Sequence, residues 1–233
     1  MQTQQGTGVS RRTTLMGAIG AVVAIASIGA SAPALAQSLP EGSSSARGMY
    51  LLGDSWGAGL HADPKRALGQ VAAGILGTTI KVDAVSGTGY VNTAGAENYL
   101  QRAAAATGNP ALVVVQGGSN DQTKAMSEVS TNATSTWEQL RRRFPSAVLL
   151  ALGPGPDPEP VTDQQRAVDT TLETAARAAG VEYVSMLQER WIPEKRSDAV
   201  IDPNTHHPTV EGQAYLGTRL AATIRLHHPS LYA

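Results

Sequence analysis

The sequence contains no cysteine. That excludes a disulfide framework, a thiol nucleophile and thiolate metal sites. Aromatic residues are scarce, with three Trp, six Tyr and one Phe among 233 residues. Trp56, Tyr90 and Trp191 are each read either as core or as walls of an apolar acyl or sugar pocket. Basic residues are not in excess: 18 Lys and Arg stand against 19 Asp and Glu, a formal net charge of −1. Nucleic-acid binding relies on an excess of clustered Lys and Arg set against phosphates, and the slightly acidic balance argues against it as the main role. A membrane span needs roughly 20 strongly apolar residues. The uncharged, modestly apolar run Gly17 to Ala30 is diluted by Gly17, Gly20, Ser27 and Gly29 and falls short of that.

What is present begins with an export pattern. Ser10-Arg11-Arg12-Thr13-Thr14-Leu15-Met16 is a twin-arginine motif, and Ala34-Leu35-Ala36 supplies a small-x-small cleavage site after the apolar run. Residues 1–36 are therefore expected to be a twin-arginine signal peptide, cleaved after Ala36 rather than kept as an anchor. The mature chain of 197 residues is long enough for one sizeable core, and loss of Arg11 and Arg12 takes its formal charge to −3. The expected location is secreted or extracytoplasmic. An exported chain without cysteine also fits a route that carries folded cargo. Residues 37–48 are polar and Ser-rich and read as a flexible lead-in, with a single domain over 49–233.

Within that domain short apolar runs alternate with helical segments. Strands are expected at Tyr50–Leu52, Ile80–Val85, Leu112–Val115, Val148–Leu152 and Tyr183–Met186. Helices are expected at Pro64–Leu76, Glu97–Ala106, Met126–Arg143, Thr162–Ala179 and Val210–Leu226. Five strands alternating with helices predict an α/β domain with a parallel sheet and right-handed crossovers. The proline-dense stretch Gly153–Pro160 is a loop, either one wall of a cleft or a stiff connection.

In such a sheet the C-terminal strand ends face one side, where open α/β folds bind ligands. Strand one runs into Gly53-Asp54-Ser55-Trp56, and strand two into Ser86-Gly87-Thr88-Gly89-Tyr90. Strand three runs into Gln116-Gly117-Gly118-Ser119-Asn120-Asp121. Ahead of the last helix lies Asp202-Pro203-Asn204-Thr205-His206-His207-Pro208. An acyl-transfer site needs a nucleophile, a base, and donors aimed at the developing oxyanion. Ser55 supplies the first and His207 the second. The backbone N–H groups of Ser55 and Gly87 and the amide of Asn120 supply the third. Each alone has an ordinary reading as a turn, cap or surface residue, and their convergence on one sheet edge is what selects the catalytic reading.

These blocks resemble the SGNH (GDSL-type) hydrolase family, in which Ser, Gly, Asn and His recur in this order. Gly53-Asp54-Ser55 matches the first block, Gly87 the second with Gly89 competing, Gly118-Ser119-Asn120-Asp121 the third, and His207-Pro208 the last. The resemblance covers about Tyr50 to Ala222. It implies a flavodoxin-like three-layer α/β/α sandwich with a five-stranded parallel sheet. It also implies Ser55 as nucleophile and Gly87 and Asn120 as oxyanion donors beside Ser55. The family's acid lies three residues before the His, where this chain has Asn204. Asp202, five before, is the favoured orienting acid, and a backbone carbonyl serving a Ser–His dyad is the other arrangement.

The pattern Gly53-x-Ser55-x-Gly57 also fits a nucleophile elbow, but that fold places several strands before the elbow and this chain places one. His206-His207 and His227-His228 carry no acid–His cluster with them, so no metal is expected, and His227-His228 reads as a solvated helix end. The expected function is an exported serine esterase that deacylates a polysaccharide, lipid or envelope ester and uses no cofactor. An acyltransferase with the same acyl-enzyme, or a non-catalytic carbohydrate- or envelope-binding domain, are the alternatives. Expected partners are a small-molecule, glycan or lipid ester and the twin-arginine export machinery, without nucleic acid. The chain is expected to act as a monomer.

Overall fold

The computed structural model describes residues 48–156, 160–193 and 197–232. The expected signal peptide and all of the lead-in except Gly48 lie outside the described residues, as do residues 157–159 of the proline-dense loop.

In chain order the elements are β1 (Met49–Gly53), α1 (Ser55–Ala58), a 3-10 turn at Pro64–Arg66, α2 (Leu68–Leu76), β2 (Ile80–Ala84), α3 (Tyr99–Ala105) and β3 (Leu112–Gln116). A second 3-10 turn at Ser119–Asp121 leads to α4 (Met126–Arg143), β4 (Val148–Leu152), α5 (Asp163–Ala178) and β5 (Glu182–Val184). The chain closes with α6 (Ser197–Val200), β6 (Ile201–Asp202), β7 (His207–Pro208) and α7 (Val210–His227). β1 to β5 form one parallel sheet in the order β2-β1-β3-β4-β5, and β6 and β7 form a small antiparallel pair. The doubly wound parallel sheet expected from the sequence is the one observed.

The inner strands β1, β3 and β4 read as largely apolar runs because both faces of the sheet are covered there, whereas the edge strand β2 carries Lys81 and Asp83. Alternate residues point to opposite layers. Met49, Leu51 and Val114 pack with Leu68 and Ala72 of α2 and Leu216 and Leu220 of α7. Tyr50, Leu52, Val113 and Val115 pack with α3, α4 and α5 through Tyr99, Trp137 and Val168. Trp56 and Trp191 belong to the first core and Tyr90 to the second, all at most 5 % exposed. All three are packed in the core.

Local chemistry sets the helix starts. Asn98 and Gln101 form a reciprocal capping box at α3, as do Thr162 and Gln165 at α5. Two expected elements differ. The segment Pro64–Leu76 is not one helix, because Ala67 is extended and the Leu68 N–H donates to Gln213 Oε1 on α7 (2.7 Å). β5 stops at Val184 because Ser185 turns its hydroxyl to the Asp169 carboxylate (2.7 Å) and accepts the Gln188 N–H (2.9 Å).

Candidate active site

β1 ends at Gly53, and the chain turns at once into α1. Asp54, in extended conformation, caps that helix by accepting the Trp56 N–H (2.9 Å), which sets Ser55 as its first residue. Gln213 Nε2 donates to the Trp56 carbonyl (3.0 Å), tying α1 to α7. Asp54 is 1 % exposed. Burial pushes its carboxyl from 3.8 up to about 6, with Asp121 adding to the rise. The Trp56 N–H, the Gln116 amide and the Arg102 charge offset part of it.

His207 reaches Ser55 from 152 positions away, with Nε2 2.9 Å from Oγ. It stands on β7, opposite Asp202 of β6, and the turn between them carries His206 in the left-handed region (φ +58°). Nδ1 of His207 lies 2.5 Å from the Thr205 carbonyl oxygen. A carbonyl only accepts, so Nδ1 carries the proton and Nε2 is left as the acceptor for the Ser55 hydroxyl. That is the tautomer a general base requires.

The structure does not bring the Asp202 carboxylate to His207. It accepts instead from the Asn204 N–H (2.8 Å) and the Asn204 side-chain amide (3.2 Å), closing the turn from within. Those donors, the Asn204 N–H foremost, hold its carboxyl below the usual range. The physical reason is local: a carboxylate at the mouth of a four-residue turn meets the N–H two positions on before it can cross to the other strand. The orienting group on His207 is a backbone carbonyl, the arrangement of a dyad.

The other expected oxyanion residues follow β2 and β3, the two strands that flank β1. Asn120 donates from Nδ2 to the Thr88 carbonyl (2.9 Å), which fixes the amide and leaves its second hydrogen for another acceptor. Between the two candidate glycines the geometry discriminates. The Gly89 N–H is committed to the Asn92 carbonyl (2.8 Å), and a Cβ at Gly89 would sit 2.4 Å from a carboxylate oxygen of Asp121. Gly89 is thus a glycine because Asp121 needs the room. Gly87 turns with φ +77°, and its carbonyl accepts from the Asn92 side chain (2.6 Å). Asp121 gathers the backbone N–H groups of Tyr90 (2.8 Å), Val91 (3.1 Å) and Asn92 (2.9 Å) and so pins this loop. Burial raises its carboxyl, and the three N–H donors counter the rise.

Two further neighbours border the dyad. The described part of the proline-dense loop packs on the residue after Ser55: a Cβ at Gly155 would sit 2.0 Å from the Trp56 ring. His61, exposed and left-handed (φ +62°), sets its ring edge-on to His207 with centroids 5.1 Å apart. Sequence reasoning missed His61, Gln213, Arg102 and the role of Asp121. Of these Asp121 alone carried a signal, its place in Gly118-Ser119-Asn120-Asp121. His227 and His228, at the end of α7, are not a merely solvated helix end. Both rings meet the Glu182 carboxylate, His228 Nε2 at 2.6 Å. Among the described residues no group of three or more His, Cys, Asp or Glu is arranged to hold a metal ion.

Comparison with known proteins gives the same frame. A GDSL lipase of Mycobacterium tuberculosis is 29 % identical over 119 residues, which cover 50 % of this chain and 51 % of the relative. The match thus spans about half the length of that curated relative. A family two carbohydrate esterase from Clostridium thermocellum, solved with cellohexaose, superposes with a TM-score of 0.62 at 18 % identity, covering 78 % of this chain and 64 % of its own. A carbohydrate acetylesterase from Sinorhizobium meliloti superposes with a TM-score of 0.60 at 16 % identity, covering 78 % and 99 %. At these identities the two structures speak for the fold. A profile of the GDSL-like Lipase/Acylhydrolase family matches residues 51–215, a span that holds Ser55, Gly87, Asn120 and His207 together. This chain belongs to the GDSL-like lipase/acylhydrolase family.

Proposed function

We propose that the protein is an exported serine esterase that works through an acyl-enzyme on Ser55. The observation that carries this reading is the 2.9 Å contact between His207 Nε2 and Ser55 Oγ, with Nδ1 held by the Thr205 carbonyl. In the reaction His207 takes the Ser55 proton as Oγ bonds to the ester carbonyl carbon. The negative charge that develops on the carbonyl oxygen is received by the N–H groups of Ser55 and Gly87 and the free hydrogen of the Asn120 amide. Collapse breaks the bond to the alcohol oxygen, which leaves with the proton from His207. A water then repeats the sequence, its proton going to His207, and releases the acid and restores Ser55.

The substrate we infer is a carbohydrate or lipid ester with a short acyl group. The indole beside Ser55 is covered by Gly155 and packed in the core, which favours a short acyl group on that side. Likeness to carbohydrate esterases supports an acetyl group on a glycan. Export through the twin-arginine route rests on Arg11, Arg12 and Ala34-Leu35-Ala36.

The test is hydrolysis of chromogenic esters of increasing acyl length by the mature protein and by Ser55→Ala. Turnover is expected to be highest for acetyl or butyryl and lost in Ser55→Ala, with a serine-directed phosphonate labelling Ser55. Undiminished turnover in Ser55→Ala would sink the assignment. Transfer to added alcohols in preference to water would make the enzyme an acyltransferase.

A further inference from the structure

The geometry points to Arg102 as the positioning residue of the oxyanion hole. This inference rests on the serine-esterase reading and extends it to a residue outside every matched block. Arg102 lies on α3, 5 % exposed, with the Tyr99 ring 5.1 Å from its guanidinium carbon. Its planar fork makes four hydrogen bonds. Nη1 donates to the Asp83 carbonyl (2.9 Å) and to the Asp83 carboxylate (2.8 Å) at the end of β2. Nη2 donates to the Gly53 carbonyl (2.9 Å) at the end of β1 and to Thr88 Oγ1 (2.9 Å). Asp83 is held in turn by the Tyr50 hydroxyl (2.7 Å).

Each proposed oxyanion donor lies one short step from this group. Ser55 follows two residues after Gly53. Gly87 directly precedes Thr88. Asn120 is oriented by the Thr88 carbonyl (2.9 Å), while the fully buried Thr88 hydroxyl also donates to the Val85 carbonyl (2.7 Å). One guanidinium thus sets the spacing between the strand end that leads into Ser55 and the loop that carries Gly87 and anchors the Asn120 amide. Stabilisation of an oxyanion depends on donors held in place before charge develops. Nε has no hydrogen-bond partner among the described residues, so the two Nη groups carry all of its bonding, and their four acceptors on three segments tie those segments together. Lysine cannot substitute, since a single ammonium offers three donors from one point in place of a rigid fork.

The test uses ester turnover by the mature protein, with Ser55→Ala as reference. Thr88→Val keeps the volume of the side chain and removes the acceptor that joins Arg102 to the loop. It is expected to lower kcat about tenfold or more, a fraction of the loss from deleting an oxyanion donor outright, with KM within about twofold. Combined with Asn120→Ala, it should add much less than it costs alone, because both changes act through the same amide. Arg102→Lys should lower kcat at least as far as Thr88→Val. A structural contribution alone would move the unfolding midpoint and leave the two kcat effects multiplicative. Multiplicative effects, a loss confined to KM, or wild-type kcat in Thr88→Val would overturn the proposal. If Arg102→Lys does not fold, the Thr88→Val and Asn120→Ala cycle decides. A silent Thr88→Val beside a dead Ser55→Ala removes Arg102 from this role and leaves the esterase reading standing. An active Ser55→Ala removes the esterase reading itself.

Discussion

Replacing Asp54 with Asn turns the buried charge next to the nucleophile into a measurable quantity. The Asp54 carboxyl moves from 3.8 to about 6 on folding, chiefly because burial strips it of water. Between about pH 4 and pH 6 the folded protein keeps a proton that the unfolded chain has released. The stability contributed by this group therefore falls as pH rises through that window and is level above it. The full fall corresponds to about 3 kcal/mol. Asp54→Asn removes the charge while keeping an oxygen to accept the Trp56 N–H. The new amide needs an acceptor, and Gln116 Oε1 is a buried oxygen with no hydrogen-bond partner among the described residues. A half-turn of the Gln116 amide presents that oxygen to it. Stability measured by urea unfolding at several pH values checks this, with variant compared to wild type at each. The variant's advantage should widen by about 3 kcal/mol between about pH 4 and pH 7. A difference that stays flat across the window, or that narrows, would refute the buried-charge account. Groups common to both proteins cancel in the comparison, so the acid loss of stability shared by both does not obscure it.

Other predictions concern the site and the leader. Asn120→Ala is expected to lower kcat by about 100- to 1000-fold while KM changes little, the usual consequence of losing one oxyanion donor; a change in KM alone would place Asn120 in substrate binding. Asp202→Asn should cost less than about tenfold in kcat, far below the roughly 10⁴-fold loss seen when a triad Asp becomes Asn, because Asn still accepts the Asn204 N–H. A loss near that larger figure would mean that Asp202 orients His207 during turnover. Asn204→Asp should not raise activity, since it sets a second carboxylate beside Asp202. Changing Arg11 and Arg12 together to Lys should stop secretion, with Gln37 as the wild-type mature N-terminus; unchanged secretion would indicate another route.

Much of this protein could be read from its sequence because the signals are local. Alternating strand and helix patterns fix a doubly wound sheet, and the handedness of crossovers then sends every strand's C-terminal end to one side. Ser55 could be placed for that reason, directly after a strand whose direction is known, and His207, which meets it, by its position just ahead of the last helix. Met126–Arg143 matches the expected helix from end to end. Other features depended on contacts across the chain. The split before Leu68 is made by Gln213, 145 positions on, and no local pattern encodes it. Gly87 and Gly89 look equivalent in sequence, and only the approach of Asp121 assigns Gly89 to the loop's support. Asp202 and Asn204 differ by two positions, and the turn geometry alone decided that a carbonyl of Thr205, not either side chain, meets His207. Arg102 is one arginine in a short helix until the fold brings Asp83, Gly53 and Thr88 around it. Periodicity and motif order are properties of neighbours along the chain, whereas which donor meets which acceptor is set by packing between segments far apart in it.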